Sequence, residues 1–271
     1  MLITDERYSP GAFDLCTGYE HIHRYLFAVP HTRRKKVLDL ACGEGYGSAL
    51  LATSASEVVG MDIAPDAIAH AKAAYKSKNL SFKVGAMECI PLDDLFDVIV
   101  CFEAIEHILN QDLLCKEVKR LLKPNGIFIV STPNKWVYSE NGKTQNSYHL
   151  KELDLMELQT LLATYFQHQI IYGQKTVASS KIFPMHSPSD RVQEQRIQMS
   201  TRGFCVTDQE DPLPRYFIAL ASNEQIEPYE GSSYLTDVAA RKGFAQWVVP
   251  EKRQGHLLGR MLKRLQSKFW T

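Results

Sequence analysis

The sequence contains no apolar run approaching the ~18–20 residues that a membrane-spanning helix needs, so we expect no transmembrane segment. Its first residues, MLITDERYSPG, carry acidic side chains and no apolar stretch, which is not the pattern of a secretory signal. None of the six cysteines forms a C-x-x-C pair, so we expect reduced thiols, a cytoplasmic protein and no structural zinc site. Basic and acidic residues number 31 each, and this lack of a basic excess disfavours a dedicated nucleic-acid binder.

What the sequence does contain is enough apolar residues for one large core, at 45% of 271 residues. Between residues 36 and 134, short apolar runs alternate with helical segments, which predicts β-α-β units and a parallel sheet. Two later runs, HQIIYGQ and PRYFIALAS, add a sixth strand and a late strand. Apolar spacing predicts a helix over 149–166, whereas 135–149 is expected to be a polar loop and 176–214 irregular.

A glycine loop follows the first predicted strand as Asp39-x-x-x-Gly43-x-Gly45-x-Gly47, and Asp62 closes the next strand. Glycines let a ligand approach the backbone, and an acid at this spacing can bind ribose hydroxyls. The loop is not a P-loop, and the acidic side chains in and before it would repel a pyrophosphate. The pattern therefore favours a ligand with a ribose and a cationic group, the alternative being a tight turn with a surface aspartate.

Five segments of the chain carry a family resemblance: VLDLACGEGYGSALLA, VVGMDIAPDAIAHAKAAY, SFKVGAMECIPL, FDVIVCFEAIEHI and LLKPNGIFIVSTPN. In this order they resemble the motifs of class I S-adenosylmethionine-dependent methyltransferases. The resemblance implies an α/β fold with a doubly wound, mostly parallel, seven-stranded Rossmann-like sheet. It also implies S-adenosylmethionine as cofactor and a methyl-transfer reaction.

Carried over residue by residue, the resemblance implies a set of cofactor contacts. The methionine part would lie against Asp39, Ala41, Gly43 and Gly45. The ribose would bind Asp62, and the adenine would lie between Ile63, Ala86 and Met87, while Glu103 would touch the cofactor. Family members often have Asp or Asn where this chain has Ala86, so the adenine amino group would be held by backbone or by Glu88.

The segment before the first strand, residues 19–28, is expected to form a helical lid over the cofactor. On a helix, Glu20, His23 and Arg24 fall near one face. Arg24 would form a bidentate pair with the carboxylate of the cofactor, and His21 or His23 would face the substrate. The alternative is a helix whose polar residues face solvent.

The pattern Glu103-x-x-Glu106-His107 follows the fourth strand, and His149 follows the fifth. In one interpretation, His107 or His149 is the general base for a substrate hydroxyl, with Glu106 as a further catalytic residue. In a second, these four side chains bind Mg²⁺ or Mn²⁺, a set resembling that of small-RNA 3′-terminal 2′-O-methyltransferases. E-x-x-E-H also resembles ubiquinone-biosynthesis O-methyltransferases. In a third, the pattern is only a helix entry near the cofactor. Our site assignment includes no metal, and a divalent ion stays an open alternative.

Three segments are predicted: a lid at 1–35, a methyltransferase domain at 36–222 containing a substrate-facing insertion at 176–214, and a tail at 223–271. Short motifs in the lid, the glycine loop and the later part of the chain resemble bacterial methyltransferases associated with cell-surface polysaccharide synthesis. We therefore expect O-methylation of a sugar, nucleotide-sugar or glycan hydroxyl. Ribose 2′-O-methylation of RNA, N-methylation of an amino sugar or small amine, and a non-catalytic cofactor-binding partner are the alternatives.

The last twenty-one residues, 251–271, read as a basic amphipathic helix with lysines and arginines opposite leucines. Such a helix can lie on an anionic membrane surface, which would make peripheral membrane contact possible for this chain. It can instead pack against a second copy or against its own domain, and the sequence favours this packing. The oligomeric state is left open.

Overall fold

A computed structural model describes most of the chain as an α/β protein. The described residues are 15–139, 146–176, 196–200, 203–207, 213–228, 236–237 and 247–248. The predicted helix at 251–271 and much of the predicted insertion lie outside these ranges. The segment boundaries at 35 and 222 stay predictions.

Seven strands form one sheet: β1 (Lys36–Leu40), β2 (Glu57–Asp62), β3 (Leu80–Val84), β4 (Phe96–Phe102), β5 (Leu122–Pro133), β6 (His168–Gln174) and β9 (Tyr216–Ser222). They lie side by side in the order β3-β2-β1-β4-β5-β9-β6. Strands β1 to β5 pair in parallel, whereas β9 pairs antiparallel with both β5 and β6. This confirms the predicted doubly wound, mostly parallel sheet.

The helices cover both faces of the sheet. They are α1 (Leu15–Thr32), α2 (Tyr46–Leu51), α3 (Pro65–Ala74), α4 (Gln111–Leu121), α5 (Lys135–Tyr138) and α6 (Leu155–Tyr165), with a 3₁₀ turn at Ile105–His107. Two further pairs of strands lie outside this sheet, β7 (Arg196–Ser200) with β8 (Gly203–Thr207) and β10 (Thr236–Asp237) with β11 (Trp247–Val248), and both pairs are antiparallel.

Alternating strand residues divide the core into two clusters. Along β4, Ile99 packs with α4 and α6 on one face, whereas Val98 and Val100 pack with α1 and α2 on the other. Strands covered on both faces need apolar side chains at successive positions, which is why these runs are nearly continuous in the sequence. The arrangement holds the carboxyl ends of the parallel strands at one edge, where loops can form a site.

Two local predictions were wrong. The helix expected over 149–166 begins at Leu155, because Asp154 and Glu157 form a reciprocal capping box there. The loop expected over 135–149 contains α5, whose first turn is capped when the Asn134 side chain accepts from the Trp136 amide. The segment 176–214 is irregular by its sequence but too long for an ordinary connection, which favours local structure or a binding role. Within it the strands β7 and β8 pair antiparallel.

In the part of the chain that the structure describes, no helix is both long and apolar enough to cross a bilayer. Within the same ranges Cys42, Cys101 and Cys115 are buried thiols and Cys89 is an exposed one. These four cysteines are free, as the sequence predicts for them.

Candidate active site

The candidate site lies where β1 and β4 run side by side. Chain connections leave this pair in opposite directions across the sheet, from β1 towards β2 and from β4 towards β5. Ligands of open α/β sheets bind in the crevice at the carboxyl ends of such a pair. Ala41 and Glu103, which follow β1 and β4, have positive φ angles of 54° and 49°. Backbone strain at non-glycine residues concentrates at functional sites, so it marks this edge for a ligand.

The glycine loop contains two glycines with positive φ angles. Gly43 has a φ of 53° and Gly45 a φ of 86°. A Cβ atom added to Gly45 would lie 2.7 Å from both the Ala71 Cβ and a ring carbon of Phe82, whereas one added to Gly43 would meet nothing within 4 Å. Gly45 is therefore needed for packing, and Gly43 leaves open space beside the strand edge.

Asp62 ends β2 with its carboxylate held in place by the loop. One of its oxygens accepts the Gly43 amide at 2.8 Å, and the other accepts the Ala64 amide at 2.9 Å. Each carboxylate oxygen has two lone pairs, so both keep the capacity to accept a ribose hydroxyl. The geometry fits the predicted ribose contact.

The carboxylate of Asp39 is fully buried and is bonded inside the protein. Ser48 donates its hydroxyl to it at 2.6 Å and Tyr25 donates at 3.2 Å. Burial raises the pKa of Asp39 to about 7, although these two hydrogen bonds act in the opposite direction. Asp39 thus ties α1 and α2 to the end of β1, and its predicted contact with the methionine part stays a prediction.

We expect the stability of the protein without ligand to fall as Asp39 ionises. Its folded pKa lies above the unfolded value, so the stabilisation is present at low pH and is lost as pH rises through about 7. Between pH 5.5 and 8 the wild type should lose about 2 kcal/mol more than Asp39→Asn. Urea unfolding of both proteins at the two pH values measures this difference. Equal pH dependence in the two proteins would contradict the assignment.

The three residues predicted around the adenine follow the ends of β2 and β3, which are neighbours in the sheet. The Ile63 side chain is 70% exposed, which leaves its apolar surface available for a flat ring. Ala86 pairs with Cys89 in a tight turn, and Met87 packs partly against the core. Their contacts with a cofactor stay predictions.

Arg24 is almost completely buried, although it carries a charge. Its Nη1 donates to the Gln174 Oε1 at 2.8 Å, and its guanidinium lies 4.8 Å from the centre of the Tyr216 ring. Its Nε and Nη2 have no hydrogen-bond partner in the structure. A buried cation with two unsatisfied donors is costly unless an anion completes it, so the site fits the carboxylate of an amino acid.

Glu103 places a carboxylate beside this cation. Its Oε1 accepts the Ser131 hydroxyl at 2.6 Å and lies 3.8 Å from the Arg24 Nη1. Because the guanidinium and the carboxylate are close but not hydrogen-bonded to each other, they suit a zwitterion. The guanidinium would bind the carboxylate of the ligand, and Glu103 would bind its ammonium group. The pair therefore fits the amino-acid part of S-adenosylmethionine.

Glu106 and His107 are carried by the 3₁₀ turn after β4, and the chain before α6 packs against this turn. The Glu106 carbonyl accepts the amides of Leu150 at 2.8 Å and Lys151 at 3.0 Å. These bonds bring His149 beside the turn, so that the two histidine rings lie 5.0 Å apart. The sequence left this convergence open, and the structure shows it.

Both histidines of the pair have their Nδ1 atom engaged by an oxygen. The His107 Nδ1 lies 3.0 Å from the Tyr148 carbonyl oxygen, and the His149 Nδ1 lies 2.6 Å from a Glu152 oxygen. Since a carbonyl or carboxylate oxygen accepts, each Nδ1 carries the proton that it donates, and Nε2 is the basic nitrogen of such a ring when it is neutral. The Nε2 of His149 is therefore the candidate base, and both imidazoles are candidate metal ligands.

Glu106 is the third polar group of the cluster. Its Oε2 accepts the Thr132 hydroxyl at 3.1 Å, and its Oε1 has no hydrogen-bond partner. Burial, followed by the negative charge of Glu103, raises the pKa of Glu106 well above its usual range. A neutral carboxyl at this place can donate a hydrogen bond to a substrate oxygen.

One atom each from Glu106, His107 and His149 lie within 4.8 Å of one another, a spacing that suits a metal ion. Glu103, the fourth residue considered as a ligand, is not part of this group and instead faces Arg24. The acceptors on both Nδ1 atoms are of the kind that orient metal-bound imidazoles. The carboxylate and the two imidazoles therefore fit a divalent ion as ligands. A metal-assisted reaction stays an alternative to a histidine base.

Sequence reasoning missed several residues that shape the site. Glu152 orients His149, and it stands three residues later in a segment predicted to be helical. Gln174 contacts Arg24 from 150 residues away, and Tyr25 contacts Asp39. The spacing of His149 and Glu152 was a local signal, whereas the other two contacts depend on the assembled sheet.

Comparison with known proteins gives a consistent result. A protein-family model described as "Methyltransferase domain" matches residues 31–199. A Mycolicibacterium smegmatis protein named as a probable S-adenosylmethionine-dependent methyltransferase is 39% identical over 165 residues, which cover 60% of this chain and 63% of that protein. A Glaesserella parasuis protein named ubiquinone biosynthesis O-methyltransferase is 35% identical over 37% of this chain and 46% of its own length.

The solved structure of the YcgJ protein from Bacillus subtilis superposes with a TM-score of 0.53, covering 76% of this chain and 100% of its own. At 18% identity this likeness concerns the fold alone. The chain spans less than two thirds of the length of the curated relatives it matches, at 63% and 46%.

Proposed function

We propose that this chain, which belongs to the methyltransferase-domain family, is an enzyme that uses S-adenosylmethionine to methylate a hydroxyl group of a sugar, nucleotide-sugar or glycan. The observation that carries O-methylation is the contact between the His149 Nδ1 and a Glu152 oxygen at 2.6 Å, which leaves Nε2 as the basic nitrogen of the neutral ring. An alcohol needs a base in order to become a good nucleophile, and a neutral imidazole with an oriented Nδ1 is suited to that role. The O-methyltransferase name of one relative also supports a hydroxyl acceptor.

Residues of this chain have distinct parts in the proposed reaction. S-adenosylmethionine supplies an electrophilic methyl group on a sulfonium sulfur. Asp62 and Arg24 would hold its ribose and its carboxylate and so fix the direction of the methyl group. The His149 Nε2 would take the proton of the acceptor hydroxyl as the new carbon–oxygen bond forms and the methyl carbon–sulfur bond breaks, with S-adenosylhomocysteine as the leaving group. Glu152 would stabilise the resulting imidazolium. Positioning supplies much of the rate in such a displacement.

A saccharide acceptor is supported by the sequence resemblance and by the side chains near the histidines. The Tyr138 ring lies 5.1 Å from the His149 ring, and the Trp136 and Tyr148 side chains on the two flanking segments are 61% and 50% exposed. Aromatic rings with a polar edge bind ligands that have both apolar faces and hydroxyl groups. RNA remains disfavoured by the zero net charge.

The direct test is release of S-adenosylhomocysteine from S-adenosylmethionine in the presence of a panel of nucleotide sugars, free sugars and glycans. Product mass and fragmentation then give the methylated atom. An O-methyl sugar supports the proposal. Methylation of nitrogen alone, of RNA alone, or binding of cofactor without turnover on any class of acceptor would each contradict it and support the corresponding alternative.

A second mechanism at the same site uses a divalent ion, and the three converging ligands favour it. Such an ion would lower the pKa of a bound hydroxyl and replace the histidine base. Ion binding would also draw Glu106 into its charged form and release a proton.

For the base mechanism, we expect exhaustive chelation to leave the rate of methyl transfer unchanged within twofold. Mn²⁺ added after chelation should then have no effect on the rate. Loss of activity on chelation, with recovery on addition of Mn²⁺ to the wild type and not to Glu106→Gln, would instead establish the metal-assisted mechanism.

A further inference from the structure

We propose that Gln174 positions Arg24 for the carboxylate of the cofactor and thereby sets the preference for nucleosides that carry an amino-acid tail. The inference rests on the proposed function, because it takes S-adenosylmethionine as the ligand of this site. It assigns a role to a residue at the end of β6, far in sequence from the glycine loop.

Gln174 joins two elements through its single amide group. Its Oε1 accepts the Arg24 Nη1 at 2.8 Å, and its Nε2 donates to the Glu20 carbonyl oxygen at 3.0 Å. The Gln174 side chain is buried, so water does not readily replace these bonds. The amide therefore fixes both the backbone of α1 and the guanidinium one turn further along it.

The same turn of α1 is held by a second anchor. The carboxylate of Glu20 accepts the Tyr216 hydroxyl at 2.9 Å and the Thr176 hydroxyl at 2.7 Å. Gln174 and Tyr216 face each other in the register of β6 and β9. Loss of the Gln174 amide alone therefore leaves the helix attached, and its main consequence falls on Arg24.

The competing partner of Arg24 explains why positioning matters. Glu103 lies 3.8 Å from the same Nη1 atom that Gln174 holds. Without the Gln174 bond, the guanidinium can close further onto Glu103 and form a hydrogen-bonded internal ion pair in place of the present 3.8 Å contact. That pair would neutralise the cation and remove the two free donors, Nε and Nη2, that a bidentate carboxylate contact requires.

Calorimetric titration with two nucleosides tests this role without any acceptor. S-adenosylhomocysteine has the amino-acid tail, and 5′-methylthioadenosine has the same adenine and ribose without it. For Gln174→Leu we expect roughly tenfold weaker binding of S-adenosylhomocysteine, as for loss of one hydrogen bond to a charged group. Binding of 5′-methylthioadenosine should stay within twofold of the wild type.

Gln169→Leu is the matched control, since it is the same change on the same strand. Its amide nitrogen donates to the Gln159 carbonyl, which belongs to α6 and not to α1. We expect wild-type affinities for both nucleosides. Gln174→Asn, whose amide is one methylene too short to reach Arg24, should repeat the selective loss if the leucine variant does not fold.

A double variant separates positioning from a merely structural effect. Arg24→Met should weaken S-adenosylhomocysteine and spare 5′-methylthioadenosine, and adding Gln174→Leu to it should cause no further loss. Equal weakening of both nucleosides by Gln174→Leu, or an unchanged ratio, would overturn the inference. Failure of the wild type to bind either nucleoside would instead contradict the proposed function itself.

Discussion

Replacement of His149 by alanine is expected to lower kcat by about 10²–10⁴-fold, the range that general bases contribute. The His149 Nδ1 is held by Glu152 at 2.6 Å, which makes Nε2 the nitrogen that can accept a proton when the ring is neutral. Removing the ring removes the acceptor for the proton of the substrate hydroxyl. Cofactor affinity should change little, because the carboxylate and ribose contacts lie on other residues.

Initial rates of S-adenosylhomocysteine release, together with its calorimetric affinity, measure both parts of this expectation. His168→Ala is the control, because His168 is an exposed histidine at the start of β6. Glu152→Gln keeps an acceptor for the His149 Nδ1 but removes the negative charge, so a smaller loss of roughly tenfold is expected. A His149→Ala enzyme with wild-type kcat would show that His149 is not the base.

The second large effect is expected in the glycine loop. Gly45→Ala should reduce the free energy of unfolding by about 2–4 kcal/mol, the sum of a left-handed backbone penalty and overpacking. The new Cβ would lie 2.7 Å from the Ala71 Cβ and 2.7 Å from the Phe82 ring. These atoms belong to the packed interface between α3 and β3, which cannot move aside cheaply.

Gly43→Ala provides the matched comparison within the same loop. Its φ of 53° carries the backbone penalty of about 1 kcal/mol, but its Cβ meets no atom within 4 Å. The open space is where the resemblance to the family puts the methionine part. We therefore expect a small loss of stability and at least roughly tenfold weaker binding of S-adenosylhomocysteine.

Urea unfolding and calorimetry of the two variants test both halves of the comparison. Equal losses of stability would show that the Phe82 ring yields to the new methyl group. Unchanged binding by Gly43→Ala would remove Gly43 from the cofactor site.

The parallel part of the sheet could be predicted because its signal is local. Runs such as KVLDL and DVIVCF are buried on both faces, and the glycine loop stands directly after the first of them. The start of α6 could not be found from apolar spacing alone. Leu153 is buried through its bridge with Asn134 rather than through a helix, yet it continues the helical period of the leucines that follow.

In the site, too, contacts between distant segments could not be predicted from local sequence patterns. Arg24 was assigned from its neighbours in the sequence, and the structure gives it the two free donors that its assignment requires. Nothing near Gln174 in the sequence indicates that it holds this side chain, because the contact exists only after α1 meets the end of β6. Residues that meet only in the folded protein have no characteristic spacing in the sequence, so these contacts were missed.

The position of β9 between β5 and β6 determines the order in which parts of the sheet can form during synthesis. β6 pairs only with β9 in the seven-stranded sheet, so it has no place there until residues 216–222 have emerged from the ribosome. At ~5–20 residues per second, the ribosome takes about 2–10 s to pass from Gln174 to Ser222. During that interval Glu20 lacks Tyr216, and the strand that carries Gln174 is unattached. A nascent chain thus completes the pocket for the amino-acid tail last, after the glycine loop and Asp62 are in place.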